Sequence, residues 1–361
     1  MKVLFLEPFY SGSHKDFADG LCWHSRHRID LLTMPGRFWK WRMRGAALHF
    51  AAQISEPCAY DAMICSAIMS LSDFRMLCGQ KCPPAIAYFH ENQLTYPVAP
   101  GEVRDLHFGF TDITTALAAD RVLFNSETHL NDFFDSLPGL LSKMPDFRPS
   151  WVADQIREKS GVCRPGCWFT ASDDSLWQEK QKPPLIIWNH RWEFDKQPEI
   201  FFAALNQAAA LGLDFELAVL GFSYEKAPQV FQDACRQLGS RIKHFGYVSS
   251  REKYYQWLGR GSVAISTAIQ ENFGIAMVEA ARFGCLPLVP DRLAYPEIIP
   301  KDLHHICLYT DFDQLVAKLC NVLANPAGYD SCRRQLALYM GQHAWQRRIS
   351  AFDQEIKLAA G

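Results

Sequence analysis

No stretch of this 361-residue chain approaches the roughly 18 consecutive apolar residues of a membrane-spanning helix. The opening run Met1-Lys2-Val3-Leu4-Phe5-Leu6 is too short for a secretory leader and reads as a first strand. Neither sign of charge is in excess, with 37 Lys and Arg against 39 Asp and Glu. No global field therefore announces nucleic acid or a membrane, and a polyanion site has to be a local patch. Twelve cysteines are scattered without a CxxC pair. The nearest groupings, Cys78 with Cys82 and Cys163 with Cys167, have few histidines nearby and read as buried thiols of a reducing compartment rather than zinc ligands. Repeats and low-complexity tracts are absent. So is the full dinucleotide fingerprint, since only Ser11-Gly12-Ser13 follows the first strand, which argues against a nicotinamide enzyme. The expectation is a soluble, cytoplasmic protein whose length fills two domains.

What is present is a βα alternation. Short apolar runs at 3–6, 29–33, 62–65, 85–89 and 121–124 read as strands with helical stretches between them, the first helix lying near 15–24. A polar, acidic segment, 171–184, interrupts the pattern and reads as a linker. The alternation resumes with strands at 185–188, 216–220, 242–245, 263–266 and 286–289. This predicts an α/β protein of two doubly wound, Rossmann-like domains facing a cleft. The expected boundaries are a first domain over 1–172 and a second over 183–340. An amphipathic stretch near 335–359 suggests a closing helix, placed at 341–361, that packs back on the first domain.

The strongest constellation is Glu271 and Glu279 in Ala268-Ile269-Gln270-Glu271-Asn272-Phe273-Gly274-Ile275-Ala276-Met277-Val278-Glu279. A strand runs into it and a helix is expected to follow, with Glu271 at the helix mouth and Glu279 about two turns deeper. The amides of Asn272, Phe273, Gly274 and Ile275 are then the unpaired donors of a helix start, suited to phosphate or sugar oxygens. Two carboxylates around such a start fit a nucleotide sugar. The bland alternative is a pair of solvated charges.

Other strand ends carry polar groups too. In Ile187-Trp188-Asn189-His190-Arg191-Trp192-Glu193-Phe194-Asp195-Lys196, Arg191 and Lys196 are placed to neutralise a diphosphate. The alternative pairs them with Glu193 and Asp195. His90, Glu91 and Asn92, leaving a strand in Ala87-Tyr88-Phe89-His90-Glu91-Asn92, are expected to face a ligand unless His90 is only structural. Pro35-Gly36-Arg37-Phe38-Trp39-Lys40-Trp41-Arg42-Met43-Arg44 interleaves cations with aromatics, a mix that suits phosphates and unpaired bases. The alternative is a helix whose aromatics are core.

Taken together, Glu271 with Glu279, Arg191 with Lys196, and the turn at His90 resemble retaining glycosyltransferases of the GT-B fold. Tyr295-Pro296-Glu297 matches that superfamily as well. Trp39-Lys40-Trp41-Arg42-Met43-Arg44, the run from Tyr88 to Pro97, Phe124-Asn125-Ser126 and the run from Trp188 to Lys196 are similar to the tRNA-queuosine α-mannosyltransferase family. The resemblance implies transfer of mannose from GDP-mannose to queuosine in a tRNA anticodon, with retention. It implies that Glu271 and the following amides hold sugar hydroxyls, Glu279 the ribose, and Arg191 and Lys196 the diphosphate. Gly12 would permit close approach near the phosphates and His90 would contact the sugar. Arg37, Trp39, Lys40, Trp41, Arg42, Arg44, Glu91 and Asn92 would meet tRNA. No metal or cofactor is implied beyond the donor substrate. A lipid or polysaccharide acceptor, a non-catalytic sugar-nucleotide or RNA-binding module, and a nucleotide-sugar epimerase are the competing readings. Oligomeric state is not legible in these residues.

Overall fold

The computed structural model describes residues 1–99, 101–169, 180–221 and 228–361. The chain divides into two units, Met1–Phe169 with His343–Gly361, and Thr170–Gln342. The segment read as a linker lies outside the described residues as far as 179. From there Lys180 is anchored in the second unit, its Nζ donating to the carbonyls of Gly259 (2.6 Å) and Phe283 (3.2 Å).

The first unit holds strands β1 (Lys2–Tyr10), β2 (Arg28–Pro35), β3 (Ala62–Ser66), β4 (Ala85–Phe89), β5 (Arg121–Phe124) and β6 (Ser160–Val162). They form one parallel sheet in the order β2-β1-β3-β4-β5-β6. The second unit holds β7 (Leu185–Trp188), β8 (Glu216–Val219), β9 (Ile242–Phe245), β10 (Val263–Ile265), β11 (Leu286–Pro290) and β12 (Leu308–Tyr309), in the parallel order β12-β11-β10-β7-β8-β9. The α/β expectation holds for both. Neither β6 nor β12 was expected, because each is a two- or three-residue edge strand with no apolar run to announce it.

The central strands are continuous apolar runs because helices cover both faces of a parallel sheet. Residues of β1 alternate between the two faces. Leu4 and Leu6 join a cluster with Phe50, Phe74, Phe89 and Phe124, while Val3 and Phe5 join Phe17, Tyr88, Trp345 and Phe352. The second cluster is closed by the Trp345–Ala360 helix, whose Trp345 is fully buried. Gly20 and Gly166 make room for that indole: a Cβ on either would fall 2.0 or 2.2 Å from it. The amphipathic stretch near 335–359 is two helices, Asp330–Met340 in the second unit and Trp345–Ala360 in the first, with a break at Gly341–His343. No helix among the described residues is long and apolar enough to cross a membrane.

Strand order reverses between β1 and β3 in the first unit and between β7 and β10 in the second. Loops leaving the carboxyl ends of two such strands diverge to opposite faces and open a crevice, where sheets of this type bind ligands.

Candidate active site

In the second unit, the loops after β7 and β10 are tied together. Ile269 N–H donates to the Asp195 carbonyl (2.8 Å), and Thr267 Oγ1 donates to the carbonyls of Lys196 (2.7 Å) and Gln197 (2.9 Å). Lys196 crosses the same gap, its Nζ donating to the Gln270 carbonyl at 2.6 Å and lying 3.5 Å from Glu271 Oε2 and 3.2 Å from Asp195 Oδ2. Burial alone would push this ammonium down. The carboxylates of Glu271 and Asp195 outweigh it and hold Lys196 above its ordinary range. Glu271 Oε1 accepts from the amide of Gly274 (3.0 Å), the residue from which the Ile275–Arg282 helix starts. One amide expected to await a ligand is therefore used inside the protein. Gly274 sits at φ +92°, and a Cβ there would lie 3.0 Å from Ile298, so glycine answers both demands of this helix start. The Phe273 side chain is buried, which leaves only its backbone to a ligand.

The ion pairs that the bland alternative required do form: Arg191 with Glu193 at 3.1 Å and Lys196 with Asp195 at 3.2 Å. They differ in exposure. Arg191 keeps 40% of its side chain exposed, whereas Lys196 keeps 8%. Two turns along the helix, Glu279 Oε2 accepts from Tyr254 OH (3.0 Å) and Oε1 lies 3.4 Å from Tyr255 OH. Asn189 Nδ2 in turn donates to the Tyr254 oxygen (3.0 Å) and the Ala276 carbonyl (2.8 Å). Tyr254, Tyr255 and Asn189 were not anticipated. His190, next to Asn189 in sequence and buried, is pushed down to about 3 by burial.

In the first unit, His90 leaves β4 with 12% of its side chain exposed. Its ring centroid lies 4.0 Å from that of His14 and 4.8 Å from those of Phe17 and Tyr88. Burial, then the neighbouring His14 and His129, hold His90 well below the ordinary histidine range. Beneath both rings is Glu7, fully buried at the reversal between β1 and β3. Its Oε1 accepts from Phe9 N–H (2.9 Å) and faces His14 Nδ1 (3.3 Å); Ser66 donates to Oε2, and His90 Nε2 lies 4.0 Å from Oε2. These three side chains place ligand-capable atoms within 4.8 Å of one another. Sequence reading passed over Glu7 and His14, although a carboxylate ending the apolar run Val3-Leu4-Phe5-Leu6 is a usable signal. Gly12 opens the Gly12–His24 helix at φ +50°.

Glu91 borders a pocket with His90, Gln93 and Asp112. Asn92 does not. It is fully buried, and its Oδ1 accepts from the amides of Leu94 and Thr95 (both 3.0 Å), shaping the turn rather than meeting an acceptor. The Trp39–Ala51 helix presents its first turn outward, with Trp41 77% and Phe38 65% exposed, so these aromatics are not core. Phe38 holds a left-handed φ of +58°, and the Arg37 guanidinium lies 5.5 Å from its ring. Lys40 lies over Trp39 at 5.6 Å. Arg37, Lys40 and Arg44 are exposed. Arg42 donates to the Pro35 carbonyl and Arg44 to that of His107, both at 3.3 Å.

Residues 2–167 match the family described as tRNA-queuosine alpha-mannosyltransferase N-terminal, and residues 172–338 match glycosyl transferases group 1. The tRNA-queuosine alpha-mannosyltransferase of Drosophila melanogaster is 37% identical over 349 residues, covering 92% of this chain and 90% of that protein. Among solved structures, sucrose-phosphate synthase from Thermosynechococcus elongatus is similar at a TM-score of 0.75 and 13% identity, with 99% of each chain covered. The catalytic domain of starch synthase IV from Arabidopsis thaliana is similar at 0.73 and 11%, covering 100% of this chain and 99% of that one. Anabaena HepE in complex with UDP is similar at 0.67 and 15%, again over 99% of each. At such identities these structures speak to the fold alone, which is GT-B.

Proposed function

The chain belongs to the tRNA-queuosine alpha-mannosyltransferase family, and from that premise we propose that it moves mannose from GDP-mannose to the cyclopentene diol of queuosine in a tRNA anticodon. In this reading the anomeric configuration is retained. The bond from the sugar C1 to the diphosphate breaks and one from C1 to a diol oxygen forms, while the displaced hydroxyl proton passes to the departing phosphate.

The observation that carries the reading is the seat of Lys196 against Glu271, where β7 and β10 diverge. Glu271 is held by a backbone amide and an ammonium, which leaves lone pairs for sugar hydroxyls. Glu279, oriented by Tyr254, takes the ribose, and Arg191 and Lys196 stabilise charge on the leaving diphosphate. No divalent ion is needed, because the two cations and the helix start supply that charge. The Glu7 carboxylate, the one acid of the His14–His90 cluster, is already occupied by Phe9 N–H, Ser66 and His14. Arg37, Trp39, Lys40, Trp41, Arg42 and Arg44 serve the tRNA.

The test is to incubate the protein with queuosine-containing and queuosine-lacking tRNA and a panel of nucleotide sugars, then weigh the released nucleoside. A hexose increment only with queuosine and GDP-mannose is expected. An increment from another donor, or on the queuosine-lacking tRNA, overturns the assignment. Activity lost to a chelator and restored by a divalent ion overturns the metal-free step.

A further inference from the structure

The start of the Trp39–Ala51 helix holds two aromatic rings in solvent. Phe38 is one of them, at φ +58° and 65% exposed. A left-handed backbone is costly for a residue that bears a Cβ, and an exposed ring recovers little of that through burial. The neighbouring chain imposes the conformation. A Cβ on Gly36 would fall 2.1 Å from Ser11 Cβ, so the turn before Phe38 packs closely on the loop after β1. Arg37 N–H donates to the Pro35 carbonyl (2.8 Å), and the Arg42 guanidinium reaches back to the same oxygen (3.3 Å). The Phe38 carbonyl accepts from the amides of Trp41 (2.9 Å) and Arg42 (3.1 Å). Strained residues over-determined in this way cluster where a protein meets its ligands.

The three aromatics of this segment are unequal. Trp39 is half-buried, and its ring centroid lies 5.2 Å from that of Phe108 on the Leu106–Ala118 helix. Trp41 is 77% exposed and lies one turn from Phe38. Around the two outward rings, residues 35–44 carry Arg37, Lys40, Arg42 and Arg44 and no acid. Cations draw in RNA backbone whether or not its bases are paired. Exposed rings add affinity only where a base is unstacked, because the faces of paired bases are already covered.

We propose that Phe38 and Trp41 form a stacking platform for an unpaired base of the anticodon loop, with the surrounding cations on its backbone. A base drawn onto the rings leaves the loop stack and exposes the nucleotide beside it. The platform rests on the function proposed above and adds to it a preference for looped over paired RNA.

An unmodified anticodon stem-loop and a blunt RNA duplex with the same number of phosphates provide the probes, with affinities measured over a range of salt. Phe38→Gly and Trp41→Ala should each weaken stem-loop binding by about tenfold, the size of one base–aromatic stack. Duplex affinity and the salt slope should stay as in the wild type, because no phosphate contact is lost. Phe38→Gly should not lower the melting temperature, since glycine adopts this φ without strain. Phe38→Tyr should bind the stem-loop as the wild type does. Stem-loop affinity untouched in both variants, or a loss shared equally by the duplex, overturns the platform, while mannose transfer by the wild type leaves the function standing. A salt slope that falls with either ring also overturns it, because the rings then only support the cations. Absence of transfer by the wild type overturns the function, and with it the assignment of the anticodon loop.

Discussion

At the end of β7 a buried ammonium and a half-exposed guanidinium are matched against Glu193, Asp195 and Glu271. At the ends of β1 and β4, two histidines share one buried glutamate. Both places are reversals of strand order in a parallel sheet, so the fold supplies the location in each case. The chemistry differs because the loops differ. The second unit compensates charge with charge, which suits a ligand that is itself ionic. In the first, burial holds His90 below the ordinary histidine range, which suits hydroxyls.

The largest effect belongs to Glu271→Ala. It removes the acceptor of the Gly274 amide and one of the two carboxylates that hold Lys196 charged. Transfer should fall by about a thousandfold or more, against about 1 kcal/mol of stability for the lost hydrogen bond. Wild-type turnover in this variant would remove the donor assignment from the second unit.

Acid should separate the units next. A buried histidine with a depressed folded pKa contributes stability that is complete above its unfolded value, about 6.5, and is lost as pH falls toward its folded value. The first unit has His129 and His343 at about 3 and His90 well below its ordinary range; the second has His190 at about 3. Asp112 acts in the opposite sense, since its raised folded pKa returns stability as pH falls. Three such histidines against one make the first unit the more acid-sensitive, with Asp112 offsetting part of that difference. Denaturant unfolding followed by hydrogen-exchange mass spectrometry at a fixed quench should show the first unit opening earlier on acidification. Equal slopes would mean that the neutral and ionic sites are not electrostatically distinct.

Arg191→Ala should lower turnover by about a hundredfold with tRNA affinity unchanged. Equal loss of both would erase the division of labour between the units. Lys40, Arg42 and Arg44 replaced together by alanine should weaken tRNA binding by about tenfold near physiological salt. The salt slope should fall by about 2 to 3. Unchanged affinity would discard the patch.

How much of this was legible in the sequence follows from where each group's partners lie. The central strands were readable because burial on both faces makes them uninterrupted apolar runs, as in Leu185-Ile186-Ile187-Trp188. Arg191, Lys196 and Glu271 were readable because polar residues break such runs where loops begin. Ser160-Gly161-Val162 and Leu308-Tyr309 carry too few apolar residues to stand out. Glu279 was named, but its partner Tyr254 comes from a helix 25 residues earlier, and no local spacing reveals that pairing. Glu7 and His14 were missed for the same reason, since His90 meets them only through folding. Asn92 read as a ligand contact because buried turn caps and exposed binding groups use the same residue types.

The finest test of the contrast is Glu193→Gln. Arg191 pairs with Glu193 two residues along its own loop, and a donor diphosphate has to draw the guanidinium away from that carboxylate. The pair is partly exposed, so its intrinsic worth is small, about 0.5 kcal/mol. Removing the charge at 193 should therefore lower KM for the donor by about two- to threefold with kcat little changed. The same change should leave tRNA binding alone, because Glu193 belongs to the second unit's loop and the basic helix to the first. A raised donor KM would mean that Glu193 positions Arg191 rather than competing for it, and that the ionic site is organised before its ligand arrives.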